Sequence, residues 1–563
     1  MSTEPFVGGY PAPSNIGASG VWSAKTVQLY SGGSAWPQPT KGFWTFIGDA
    51  DNTSAGGAND LYSEGGLFQT AAQVSAGNNE YYVIGRWINQ SGMTGSGVGI
   101  FKGLRINGDE APSGTIGVSK YYNWSLSNGI HFGQCGDIFV ENPGGPWHYI
   151  VMAGYTGSSY QYSHSRIVKL NDSEAEQTSF SLRTSNGGPH GVKQPILVRW
   201  NSQLYQIAHG HQYQNGQYKR EILVARINES TLDRTTPAMR LYHSAWGYTY
   251  YQMTGKIIAN HKTDASGNTL NVTFDGYHQT PAGGSGNNVI MLGQWTTGGS
   301  ISYNHSNDYF IWNNSSSKDL YLTDTETDGD VFWITGYGIA NSVVSGTRNF
   351  AAIMKRTYQA SSMADNGTWI LKLQTGGYNQ STHITSIALD SSNNKLYFHG
   401  YADGIGGSTD NSTFIGRIDV TNPTWVLDWC NAYVNTGFSN YPGWGRNKLI
   451  LTANDTITSY GYTQVAEGGG VNPVVAQLIT VPRDGSSKGG AGGNDGQTLS
   501  SHDIKDKCLF QLESASTNVT ITNANSGPGI NMYNSNEYSN PTQGTTNYNN
   551  TDPSPVLYKS GGV

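Results

Sequence analysis

Short runs in which apolar and polar residues alternate recur along the whole chain, bounded by Gly, Asn, Asp or Ser. A period of two sends successive side chains to opposite faces of a strand, and the bounding residues favour turns. In TFIGRI, Phe414, Gly416 and Ile418 share one face, while Thr413, Ile415 and Arg417 share the other. Apolar residues on both faces suit a sheet covered on both sides.

One strand type repeats. It ends in Gly plus a large residue, most often Tyr, at Gly85, Gly154, Gly210, Gly276, Gly336, Gly400 and Gly461. The intervals are 69, 56, 66, 60, 64 and 61 residues. Between 15 and 19 residues after each Gly comes a second strand, marked by Lys102, Lys169, Arg226, Gln294, Lys355, Arg417 and Gln477. Each pair therefore reads as a hairpin. Strands such as HITSIALDSS before a hairpin and TWVLDWCNAY after it bring the unit to four strands in roughly 60 residues. A near-fixed period of this kind marks a repeat architecture. The expectation is an all-β chain: a single β-propeller of about seven four-stranded blades over residues 41–485, with extended N- and C-terminal segments.

The unit around residues 384–429 resembles the bacterial β-propeller repeat family. Asp390, Lys395, Leu396, Tyr397, Gly400, Tyr401, Phe414, Arg417, Asp419, Trp425 and Trp429 carry the resemblance. It implies a fold and no particular activity, since propellers host many. The fourth copy departs most, with Gln294 where a basic residue is expected.

Composition fits this reading. Charged residues are 13% of the 563, against roughly 25% in average proteins, while Gly occurs 74 times and Tyr 35 times. Aromatic residues at 12% supply enough apolar area to argue against disorder. A net charge of −7 provides no field for a phosphate backbone, so nucleic acid is not an expected partner. No apolar run approaches the length of about 18 residues that a membrane span requires. The opening MSTEPFVGGYPAPSN lacks the pattern of a secretory signal, so none is expected. The three cysteines, Cys135, Cys430 and Cys508, are far apart in sequence and read as free thiols of a chain made in a reducing cytoplasm.

Outside the repeat, residues 1–40 form an expected arm. Its GVWSAK…SAWP element, with Trp22 and Trp36, resembles a short element at the head of virion proteins of tailed phages, marine ones especially. The resemblance implies attachment through the two indoles, with other virion proteins and further copies of the chain as partners. Residues 486–524 read as a Gly-rich linker and closing strands, and one such strand could complete the last blade or pair near GFWTFIG. Residues 525–563 read as a polar tail.

Candidate chemistry is sparse. No nucleophile elbow, zinc-protease helix motif or phosphate-binding loop occurs. Asp324, Glu326, Asp328 and Asp330 in DTETDGD place acidic oxygens at alternate positions, as at the start of a calcium loop. The distal Glu of such a loop is replaced by Thr335. Calcium is the one candidate cofactor. The reading is a non-enzymatic structural protein of a phage particle, in the tail, baseplate or fibre. It would be assembled in the host cytoplasm, with a glycan or receptor on the host surface as a further partner. The alternative is a carbohydrate-binding or carbohydrate-active propeller.

Overall fold

The computed structural model describes strands between Phe43 and Gly562 and turns adjoining some of them. Residues 1–42, 50–69, 89–98, 108–118, 244–256 and 535–554 are among those not described. The described chain is all-β and forms a propeller. Its strands fall into seven sheets. Each repeat hairpin sits inside one of them, from Glu80–Ile88 with Gly99–Asn107 to Thr456–Gln464 with Val474–Pro482. The first strands of successive sheets lie against one another. Thr70–Ser75 meets Ile130–Val140, which meets Val192–Trp200; the series continues through Ile257–Asn260, Leu320–Asp328 and Thr382–Asp390 to Leu449–Leu451. That arrangement sets the first strands round a common axis, with the later strands of each sheet fanning outward.

The expectation of about seven four-stranded blades is corrected. Five blades share one plan, the second to the sixth sheets in chain order, and each is five strands wide along its ladder. Four of those strands follow one another along the chain, the fourth sheet carrying in addition the short Ile301–Tyr303 beside its third strand. The fifth, outermost strand comes from the C-terminal part of the chain, running back round the propeller. Leu499–Asp503 adds to Val426–Asn435, Cys508–Glu513 to Ser362–Thr375, and Thr517–Val519 to Tyr309–Ile311. Ala524–Pro528 then adds to Met239–His243, and Met532–Asn534 to Glu176–Thr184. All five pairings are antiparallel. The other two sheets differ. The first, Thr70–Ser75 to Ser119–Asn123, has four strands and receives no return strand among the described residues. The last is assembled from both ends of the chain: Phe43–Asp49 lies between Val474–Pro482 and Pro555–Gly562. The physical reason for the difference is that the short strands between Leu499 and Gly562 join the sheets by backbone pairing, which residue patterns do not show, and that the first and last sheets depart from the shared plan.

Apolar faces pack between neighbouring sheets. Trp333, Trp369 and Trp425 meet between the fifth and sixth, with Trp369 and Trp425 stacked at 3.5 Å and 10°. Such an aromatic pair adds about 0.5–1.5 kcal/mol beyond its buried area. The repeat's marker cations make contacts within their own sheets and, for Arg417, with the chain leaving the next one. Arg417 reaches Asp428 at 2.8 Å and the backbone oxygen of Arg483 at 2.9 Å, and Lys355 lies 4.9 Å above the Trp333 ring.

Candidate functional site

The Gly of the repeat has a steric cause. At Gly400 a Cβ would overlap the carbonyl oxygen of His383, and at Gly461 that of Tyr441. Only glycine lets the second strand approach the first this closely. The residue after each Gly then stands beside the residue whose carbonyl has been admitted. Tyr401 pairs with His383, and Tyr462 pairs with Tyr441. Tyr337 pairs with Tyr321 in the same way.

These pairs link up across three sheets. Tyr321 stacks on Tyr337 at 5.0 Å, and Tyr337 meets His383 at 4.5 Å. His383 stacks on Tyr401 at 4.5 Å and 4°. Tyr401 meets Tyr441 edge-on at 5.2 Å, and Tyr441 stacks on Tyr462 at 5.2 Å. The result is a continuous row of rings at one mouth of the propeller, where first strands begin and second strands end. All five tyrosines are half-buried, while His383 is 7% exposed.

Polar groups hold the row. Asn349 Nδ2 lies 3.0 Å from His383 Nε2, and Lys372 Nζ donates to the Asn349 carbonyl at 2.7 Å. Burial, with the Lys372 charge second, lowers the His383 pKa to about 4, so its ring is neutral at ordinary pH. Asn411 Nδ2 donates to the Tyr441 hydroxyl at 2.9 Å. Burial raises the Tyr401 hydroxyl well above its ordinary range, and Tyr337, Tyr441 and Tyr462 raise it further. Its proton therefore stays on. Two carboxylates, Asp403 and Asp410, lie close to either end of the loop in the Tyr401 hairpin; Asp403 Oδ1 accepts from the Ser381 amide at 2.9 Å.

The residues singled out for calcium sit elsewhere. Asp324 is buried on the strand Leu320–Asp328 and is engaged by the neighbouring sheet: Ser386 Oγ and the Ile387 amide donate to Oδ2 at 2.5 and 2.9 Å. Glu326 and Asp328 follow on the same strand, and Asp330 lies outside the described residues. Among the described residues no group of three or more His, Cys, Asp or Glu is placed to hold a metal ion. Trp22 and Trp36 also lie outside them. No described helix is long and apolar enough to cross a membrane.

Fold and site together define a β-propeller with an aromatic mouth. No protein-family model and no curated protein matches the sequence. Solved structures do. The endosialidase of phage phi92 aligns over 86% of this chain and 76% of its own, at 9% identity and a TM-score of 0.36. The α-L-arabinofuranosidase Arb93A of Fusarium graminearum aligns over 78% of this chain and 97% of its own, at 11% identity and a TM-score of 0.31. The xylan β-1,4-xylosidase of Bacillus halodurans aligns over 81% and 100%, at 8% and 0.28. The expectation of a chain without enzymatic activity is corrected here. It rested on missing sequence motifs, and the solved structures to which this fold is similar bear the names of an endosialidase, an arabinofuranosidase and a xylosidase.

Proposed function

We propose that this chain recognises carbohydrate at the tyrosine-lined mouth of its propeller, as a carbohydrate-binding or carbohydrate-active protein. The row from Tyr321 to Tyr462 carries the reading. A sugar ring offers a C–H face that lies on an aromatic face, and hydroxyls that bond to nearby polar groups. Tyrosine supplies both complements, with little side-chain entropy to lose. A row spanning three sheets suits consecutive sugar units better than a single one. If the chain cleaves what it binds, Asp403 and Asp410, at the two ends of the loop that follows Tyr401, are the carboxylates to test as a hydrolytic pair.

The test is a glycan array and a panel of bacterial polysaccharides, read for binding and for new reducing ends. Tyr337→Ala and Tyr462→Ala should each weaken binding about tenfold, the loss of one stacking contact of about 1.4 kcal/mol. Their melting behaviour should stay close to that of the parent. Absence of both binding and cleavage across the panel would rule the reading out. A virion setting, with Trp22 and Trp36 as anchors, is a separate proposal. Imaging of phage particles labelled with antibody to this chain tests it, and unlabelled particles end it.

A further inference from the structure

Two cysteines far apart in sequence meet where the returning C-terminal segment passes from the sixth sheet to the fifth. Leu499–Asp503 runs along the outer edge of Val426–Asn435, with Asp503 opposite Asn431. The Ile504 amide then donates to the Cys430 carbonyl at 2.9 Å, and the Ile504 side chain is buried. A single turn of 3-10 helix, Lys505–Lys507, redirects the chain. Cys508 begins the next return strand, opposite Leu373 on the fifth sheet. Cys430 is fully buried in the cluster with Trp369, Leu371 and Phe414, and Cys508 packs against that cluster from its partly exposed position. Both are free thiols, and the Cys508 side chain is within hydrogen-bonding reach of Cys430.

We propose that Cys430 and Cys508 form a dithiol–disulfide couple that latches the returning segment to the sixth sheet, with a low-molecular-weight disulfide such as glutathione disulfide as its oxidant. Cys508 is the partner that solvent can reach. Its thiolate attacks one sulfur of the small disulfide, whose S–S bond breaks and releases one thiolate. The Cys430 sulfur, on losing its proton, attacks Cys508 sulfur in the mixed disulfide and expels the second small thiolate. The two protein thiols lose two electrons, the small disulfide gains them, and the two protons end on the released thiols. Burial pushes the Cys430 thiol well above its ordinary value, and hydrogen bonding with Cys508 adds to this, so the second step is the slow one.

The full chain is the sample. It is held in excess glutathione disulfide or in dithiothreitol, then denatured under acid and its free thiols are counted. The reduced chain should show all three thiols and the oxidised chain one, with a Cys430–Cys508 cross-link in the non-reduced peptide map. The oxidised chain should also melt at a higher temperature than the reduced one. Cys508→Ser should lose both the cross-link and that difference in melting; if this variant does not fold, thiol count and peptide map on the parent chain decide alone. A glutathione adduct that persists on Cys508 without the cross-link overturns the proposal. So do three unreacted thiols after prolonged exposure.

Discussion

Gly400 and Gly461 owe their place to neighbouring carbonyls rather than to a turn. Gly400→Ala should therefore cost about 1–3 kcal/mol through overpacking against backbone that cannot move aside. Chemical denaturation checks this, and an unchanged midpoint would show that the first strand yields. Asp324 makes a second residue-scale case. Its carboxylate serves the Ser386 hydroxyl and the Ile387 amide, so Asp324→Ala leaves buried donors unpaired. A loss of about 1–3 kcal/mol is expected. His383 gives a pH signature. Its ordinary pKa of 6.5 falls to about 4 in the fold. Between those values the unfolded chain binds the extra proton, so stability is fully present above pH 6.5 and declines as pH drops toward 4. The full span is worth about 3 kcal/mol. Urea midpoints measured from pH 7 to pH 4 should fall less steeply for His383→Phe than for the parent. At this scale the sequence was half legible. The Gly–Tyr pairs stood out, but they read as architecture. Nothing in one strand shows that Tyr337, Tyr401 and Tyr441 touch, because those contacts join different sheets.

Among elements, the hairpins were the most legible. Alternation and a near-fixed period both pointed to them, and the register pairs Gly400 with Phe414 and Lys395 with Asp419. The return strands were not. Thr517–Val519 and Met532–Asn534 are three residues each, too short to show any period. They are strands because a neighbouring edge supplies hydrogen bonds, which is a tertiary cause. Without them the fourth strands of five blades would present bare edges. Unpaired edges template association between chains. A chain ending at residue 486 should therefore form oligomers or aggregates under conditions where the full chain does not. Light scattering after size exclusion would show it, and a monodisperse truncated monomer would refute the role given to these strands.

For the whole molecule, the last sheet matters most. Phe43–Asp49 pairs with strands more than four hundred residues later, Val474–Pro482 and Pro555–Gly562. Contacts this distant in sequence make folding slow. They also join both ends of the chain in one ladder. The sequence showed the number of hairpins and left open how the ring closes. GFWTFIG was a candidate partner for a terminal strand, but its two actual neighbours cannot be ranked from residue patterns, since backbone pairing is indifferent to most side chains.

The returning segment also sets an order of manufacture. A ribosome releases the inner four strands of each of five blades before it has made any of their outermost ones. Synthesis runs at about 5–20 residues per second, and domains generally fold as they emerge. Every blade must thus wait at its rim until the final stretch is translated, and that stretch then finishes them in reverse, the most recently made blade first. A chain cut short before the return strands is not a propeller with one blade missing; five of its blades are left unfinished at once. Such a product carries its own mark of incompleteness, legible to any protease or chaperone that searches for open strand edges.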